Sequence, residues 1–131
     1  MNPSQNNSQP INSDLTEERR RFIRLNINAD IKFSIIPHGS AEYQSKTKDI
    51  GAGGICLMSD LPLKNSDILK LEIFLPEDPP SVHAIGKVVW VKPFSIADEK
   101  SVRFDAGVTF TEITEPDRKK INKYVFSLKI R

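Results

Sequence analysis

Asn26-Ile27-Asn28-Ala29-Asp30-Ile31-Lys32-Phe33-Ser34-Ile35 alternates polar and apolar side chains without a break. Period two over that length predicts a half-buried strand, with Ile27, Ala29, Ile31, Phe33 and Ile35 on one face. Asn28, Asp30, Lys32 and Ser34 take the other. Pro37-His38-Gly39-Ser40 then supplies turn chemistry, and a more polar strand is expected from Ala41 to Lys48, ending at Asp49. Gly51-Ala52-Gly53-Gly54 interrupts, and Ile55-Cys56-Leu57-Met58 resumes as a short buried strand. Leu61 to Asp67 reads as a connection.

The same pattern continues toward the C-terminus. Leu69, Leu71, Ile73 and Leu75 give a strand stopped by Pro76 and by Pro79-Pro80. Val82 to Val91 is a long strand whose interior Gly86 marks a bend or bulge. A loop is expected around Pro93 to Lys100, followed by a last strand from Val102 to Phe110. The period then changes. Thr114-Glu115-Pro116-Asp117 has a Thr N-cap, a Pro in the first turn and an acid at the third helical position. Ile121, Tyr124, Val125 and Leu128 follow as one apolar helical stripe. About six successive strands with no helix between them, closed by one helix, favour an antiparallel barrel or sandwich.

Composition bounds the function. The chain has 131 residues, 38% hydrophobic and 27% charged, which fits one domain with a modest core. Residues 1–18 are too polar to bury anything and are expected to be flexible, so the domain proper is 19–131. Net charge is only +2, which does not mark a general nucleic-acid binder. Cys56 is the one cysteine, so no intrachain disulfide and no cysteine-based metal site can form. His38 and His83 lie far apart, and no metal-spaced cluster is expected. No apolar run approaches the ~18–20 residues of a membrane span, and the N-terminus lacks a secretory signal. The expectation is a cytoplasmic protein without membrane insertion. No nucleophile–base pattern or phosphate-loop motif occurs, so no enzyme and no cofactor are expected. Trp90 reads as a core or barrel-surface aromatic, and Cys56 as an inert buried thiol. His83 has no carboxylate or serine that the sequence places beside it.

Two stretches carry ligand chemistry. Arg19, Arg20, Arg21 and Arg24 concentrate positive charge just before the first strand. Guanidinium groups grip phosphate oxygens with paired hydrogen bonds and stack on flat rings. Arg20 and Arg24, four apart, share a side whether the segment is helical or extended, with Arg21 between them. A solvated basic run is the alternative reading. The second stretch is Asp49-Ile50-Gly51-Ala52-Gly53-Gly54, whose glycines let a backbone approach a ligand and whose amides can cradle an anion. Asp49 could accept hydrogen bonds from the N1–H and N2–H₂ edge of a guanine. A plain turn with an Asx-type hydrogen bond is the alternative here.

Taken together, the two stretches resemble the signature of the PilZ domain family, RxxxR followed by (D/N)xSxxG. Arg20-Arg21-Phe22-Ile23-Arg24 matches the first half; Asp49, Gly51 and Gly54 occupy the second. Gly86-Lys87-Val88-Val89-Trp90-Val91, Phe104-Asp105-Ala106-Gly107-Val108-Thr109-Phe110 and the C-terminal helix extend the resemblance over about residues 19 to 128. It implies a mainly all-β fold, a six-stranded antiparallel β-barrel with a C-terminal α-helix, and a receptor for cyclic di-GMP. In that family the arginines matching Arg20 and Arg24 contact phosphates and guanines, and the Asp and Ser help hold a guanine. The implied ligand site is Arg20, Arg21, Arg24, Asp49, Gly51 and Gly54, with an unidentified protein effector downstream. The segment bearing the arginines is expected to reorder around the ligand, bound as a monomer or as a stacked dimer. One position departs from the pattern: Gly51 stands where the family has Ser. The alternative is a PilZ-fold interaction module that no longer binds the nucleotide. A barrel binding single-stranded nucleic acid ranks last, because the basic residues after Arg24 are dispersed and no DNA or RNA is expected.

Overall fold

Alternation around Ile31 becomes β2 (Asp30–Ile36), with Ile31 and Phe33 buried to 2% exposure or less. The computed structural model describes residues 24–37, 41–95 and 102–129. Before β2 comes a two-residue strand, β1 (Arg24–Leu25), and after it β3 (Tyr43–Gly51), β4 (Gly54–Ser59), β5 (Ile68–Phe74), β6 (Val82–Ser95) and β7 (Val102–Ile113). The chain closes with helix α1 (Glu115–Lys129). All pairings are antiparallel. The strand order β3-β2-β5-β6-β7-β4 returns to β3, so six strands make a closed barrel, with β1 added beside β3.

The first strand differs from its sequence reading, because Asn26 to Ala29 lie outside β2. They keep the in-and-out alternation, and Ala29 is buried, but a side chain replaces part of the ladder. Thr47 of β3 is fully buried; its Oγ1 donates to Ile27 O at 2.6 Å and accepts from Ala29 N at 3.0 Å. Its own N–H donates to Ala29 O at 2.9 Å. Thr47 therefore stitches the gap between β1 and β2. Replacing it with the isosteric Val would orphan a buried amide and a carbonyl, each worth about 1–3 kcal/mol. Thr47→Val is expected to destabilise the domain by about 2 kcal/mol and lower its melting temperature by roughly 5–12 °C. Thermal melting of the unliganded protein checks this, and an unchanged midpoint would rule the stitch out.

β6 also runs past its expected end, through Pro93 to Ser95. Pairing of β6 with β5 stops at Lys87, so beyond that point β7 is its one strand partner among the described residues. A one-sided strand tolerates a residue without an N–H. The bulge expected at Gly86 is present, between Ile85 and Gly86, and a second lies between Val88 and Trp90.

The core is one cluster inside the barrel, extended at one end by the helix. Ile121 and Val125 of α1 are both at 0% exposure, on the stripe that the helical period predicts. Thr114 caps the helix: its Oγ1 accepts from Asp117 N at 3.2 Å. The Asp117 carboxylate accepts from His83 N at 3.2 Å, which ties the helix start to β6.

Candidate ligand-binding site

Asp49 lies on β3 just before a two-residue hairpin loop, Ala52-Gly53, closed by the pair Gly51 and Gly54. The register then settles what lies beside it. Leu25 pairs with Ile50 and Arg24 with Gly51, so the end of the arginine segment runs against the end of the glycine motif as a strand partner. Residues 25 and 27 apart in sequence are brought together by main-chain pairing. Arg20 and Arg21 lie outside the described residues.

Register also defines the outer wall here. Ile50 and Ile55 point into the core at 0% exposure, so Asp49, Gly51, Gly54 and Cys56 occupy outward positions. Asp49 pairs with Cys56, Cys56 with Gly107 and Gly107 with Trp90, which makes one row across β3, β4, β7 and β6. Trp90 is 45% exposed and lies across Gly107; a Cβ there would sit 2.0 Å from the indole Nε1. The tryptophan is thus on the barrel surface, in the row that starts at Asp49. Cys56, at an outward position, is only 4% exposed.

Gly54 has a packing reason. An added Cβ would meet the main-chain Val108 O at 2.2 Å, so β4 passes too close to β7 for any side chain. Gly53 O accepts from Phe110 N at 3.0 Å and holds the turn to the same strand. Ala52, at 0% exposure, anchors the loop in the core. The glycine motif is a fixed platform rather than a loose loop.

Beside Asp49, the ammonium of Lys48 donates to Asp105 Oδ2 at 2.6 Å and lies 5.1 Å from the Phe94 ring centroid. The Asp105 hydrogen bond and charge raise the Lys48 pKa above the ordinary lysine value. Sequence reading missed Lys48 and Asp105, because their meeting depends on cross-strand register. Trp90 takes the barrel-surface placement, one of the two expected for it.

Elsewhere on the barrel, His83 has neighbours that the sequence did not place. Its Nε2 is 3.4 Å from Ser81 Oγ and 3.8 Å from Glu72 Oε2, while Ser81 Oγ donates to Glu72 Oε2 at 2.6 Å. Strand pairing of Glu72 with His83 brings them together. Both contacts converge on Nε2 and the serine proton goes to the carboxylate, which is not the order of a catalytic triad. A groove of about 580 Å³ borders Glu72, His83 and Lys32, away from Asp49. Among the described residues no group of His, Cys, Asp and Glu is arranged to hold a metal, and no helix is long and apolar enough to cross a membrane.

A family model described as PilZ domain matches residues 18–127. The chain belongs to the PilZ domain family. Solved structures similar to this PilZ chain share its fold. The PilZ domain of Escherichia coli YcgR with c-di-GMP superposes with a TM-score of 0.67 at 14% identity, over 86% of this chain and 92% of that one. The K. pneumonia MrkH–c-di-GMP complex gives 0.70 at 22% identity, over 86% and 53%. Bacillus subtilis MotI/DgrA, an inhibitor of motility, gives 0.65 at 21% identity, over 86% and 52%. This PilZ chain therefore spans about half the length of MotI and MrkH. None of the curated proteins compared by sequence matches it.

Proposed function

We propose that this PilZ domain is a cyclic di-GMP receptor that acts on a protein partner. The observation that carries the reading is the pairing of Arg24 with Gly51, which joins the two halves of the family signature at one edge of the barrel. Arg20, Arg21 and Arg24 are the phosphate and guanine contacts, since guanidinium groups offer both paired hydrogen bonds and a stacking face. Asp49 accepts from a guanine edge. Gly51 and Gly54 form the platform beneath it. Two of the structures that share the fold hold c-di-GMP, which supports the ligand class. Binding reorders the N-terminal segment that carries the arginines and changes the surface offered to the partner. Ordering costs free energy, so affinity is moderate, on the order of micromolar.

Calorimetric titration with cyclic di-GMP tests the reading. Saturable binding with a Kd of about 1–10 μM is the expected result, and no heat at ~100 μM ligand with folded protein would overturn it. The protein would then be an interaction module of the same fold.

Gly51 gives a further test. The family's serine hydroxyl, restored by Gly51→Ser, adds one neutral hydrogen bond worth about 0.5–1.5 kcal/mol. Affinity is expected to rise two- to tenfold, roughly what that energy implies. An unchanged Kd would mean that the ligand does not reach this position.

A further inference from the structure

β3 carries a bulge at Lys48, where the register shifts between Thr47 and Asp49. Thr47 and Ile50, three apart, both face inward at 0% exposure. The extra residue turns Lys48 and Asp49 to the outer wall together. In a regular strand only one of them could be there.

The lysine is then fixed in place. Its ammonium donates to Asp105 Oδ2 at 2.6 Å, with the Phe94 ring 5.1 Å away, so β7 and β6 both hold it. The Asp105 side chain is 13% exposed and its buried Oδ1 has no hydrogen-bond partner among the described residues, whereas Lys48 is 52% exposed. The carboxylate is thus committed to the lysine, but the lysine is not used up by the carboxylate. An ammonium has three donors, and one suffices for Oδ2. Asp49, the next residue, shares the outer wall with Lys48 through the bulge. Asp105 is largely buried, and an ion pair that takes a charge out of water is weak evidence of a stabilising role. A cation held without further ordering, open to solvent and beside the guanine-accepting carboxylate, has the chemistry of a phosphate contact.

We propose that Lys48 is an additional phosphate-binding residue of the cyclic di-GMP site, lying on the opposite side of Asp49 from β1. The proposal rests on the receptor reading above. β1, which contains Arg24, flanks β3 on one side, and the Lys48 ammonium reaches across β4 on the other.

The test is calorimetric titration of the full chain with cyclic di-GMP, comparing wild type, Lys48→Arg and the double variant Lys48→Gln/Asp105→Asn. The double variant keeps a hydrogen-bonded neutral pair and leaves no uncompensated buried carboxylate. It is expected to bind about tenfold more weakly, the low end for losing a charge-assisted contact. Its affinity should also respond less to added salt. Lys48→Arg should stay within about threefold of wild type, since the charge is kept. A folded double variant that binds like wild type overturns the proposal and leaves the receptor reading intact. Absence of binding by the wild type overturns both. A second measurement needs no variant: the Lys48 Cε resonance of the wild-type chain is expected to shift on saturation, and an unmoved resonance also overturns the proposal.

Discussion

Gly54→Ala is expected to lower the unfolding free energy by about 3 kcal/mol, at the upper end of what overpacking costs. The added Cβ would sit 2.2 Å from Val108 O and 3.2 Å from both Val108 C and Thr109 Cα. All three are main-chain atoms, so no rotamer change relieves the clash. β4 would have to move off β7, with which it pairs continuously from Gly54 opposite Thr109 to Ser59 opposite Phe104. Gly107 provides the contrast. There the obstacle is the Trp90 side chain, which is 45% exposed and free to swing outward. Gly107→Ala should therefore cost less than Gly54→Ala, about 1 kcal/mol, the low end of what overpacking costs. Urea unfolding of the two variants beside wild type separates the cases. Equal losses would mean that the approach of β4 to β7 is not what requires glycine at 54. The result bears on function as well, since the platform beside Asp49 is only as rigid as this contact.

Much of the barrel was legible because a half-buried wall writes itself as period two. β2, β5 and β7 carry that alternation openly, and α1 carries the period of 3.6 with a Thr cap. What stayed hidden was decided between strands. The gap between β1 and β2 follows from the Thr47 side chain, and nothing in Asn26 to Ala29 announces that a threonine 20 residues away will take over their ladder. The extension of β6 through Pro93 depends on β5 having ended, which local propensity cannot know. For the site, the arginine cluster and the Asp49–Gly54 stretch were visible as residue types, and their sharing one site was implied by the family resemblance but not by the residues themselves. Their adjacency came from the pairing of Arg24 with Gly51. Lys48 was invisible for the same kind of reason: a bulge, not a motif, turns it outward. Sequence pointed to a ligand chemistry, and register puts Arg24 beside the glycine motif.

The larger functional effect is expected from Arg20→Ala/Arg24→Ala, which should weaken cyclic di-GMP binding by at least a hundredfold. Each charge-assisted arginine contact is worth about 1.5–3 kcal/mol, so two lost together give about 3–6 kcal/mol. That is two to four orders of magnitude in Kd. The fold should be indifferent to the change. Arg24 joins the barrel through its main chain opposite Gly51, and alanine keeps that pairing. The melting temperature of the unliganded double variant is therefore expected to match wild type, while the rise in melting temperature that ligand gives the wild type disappears. Stability and binding must separate for the argument to hold. A variant that melts early would point to a structural role for the arginines. One that melts normally and still binds within threefold of wild type would move the ligand off this edge of the barrel. Asp49→Ala supplies the remaining distinction. It removes a guanine acceptor but no cation, so its loss should be nearer tenfold and less dependent on salt than the loss from the arginine pair.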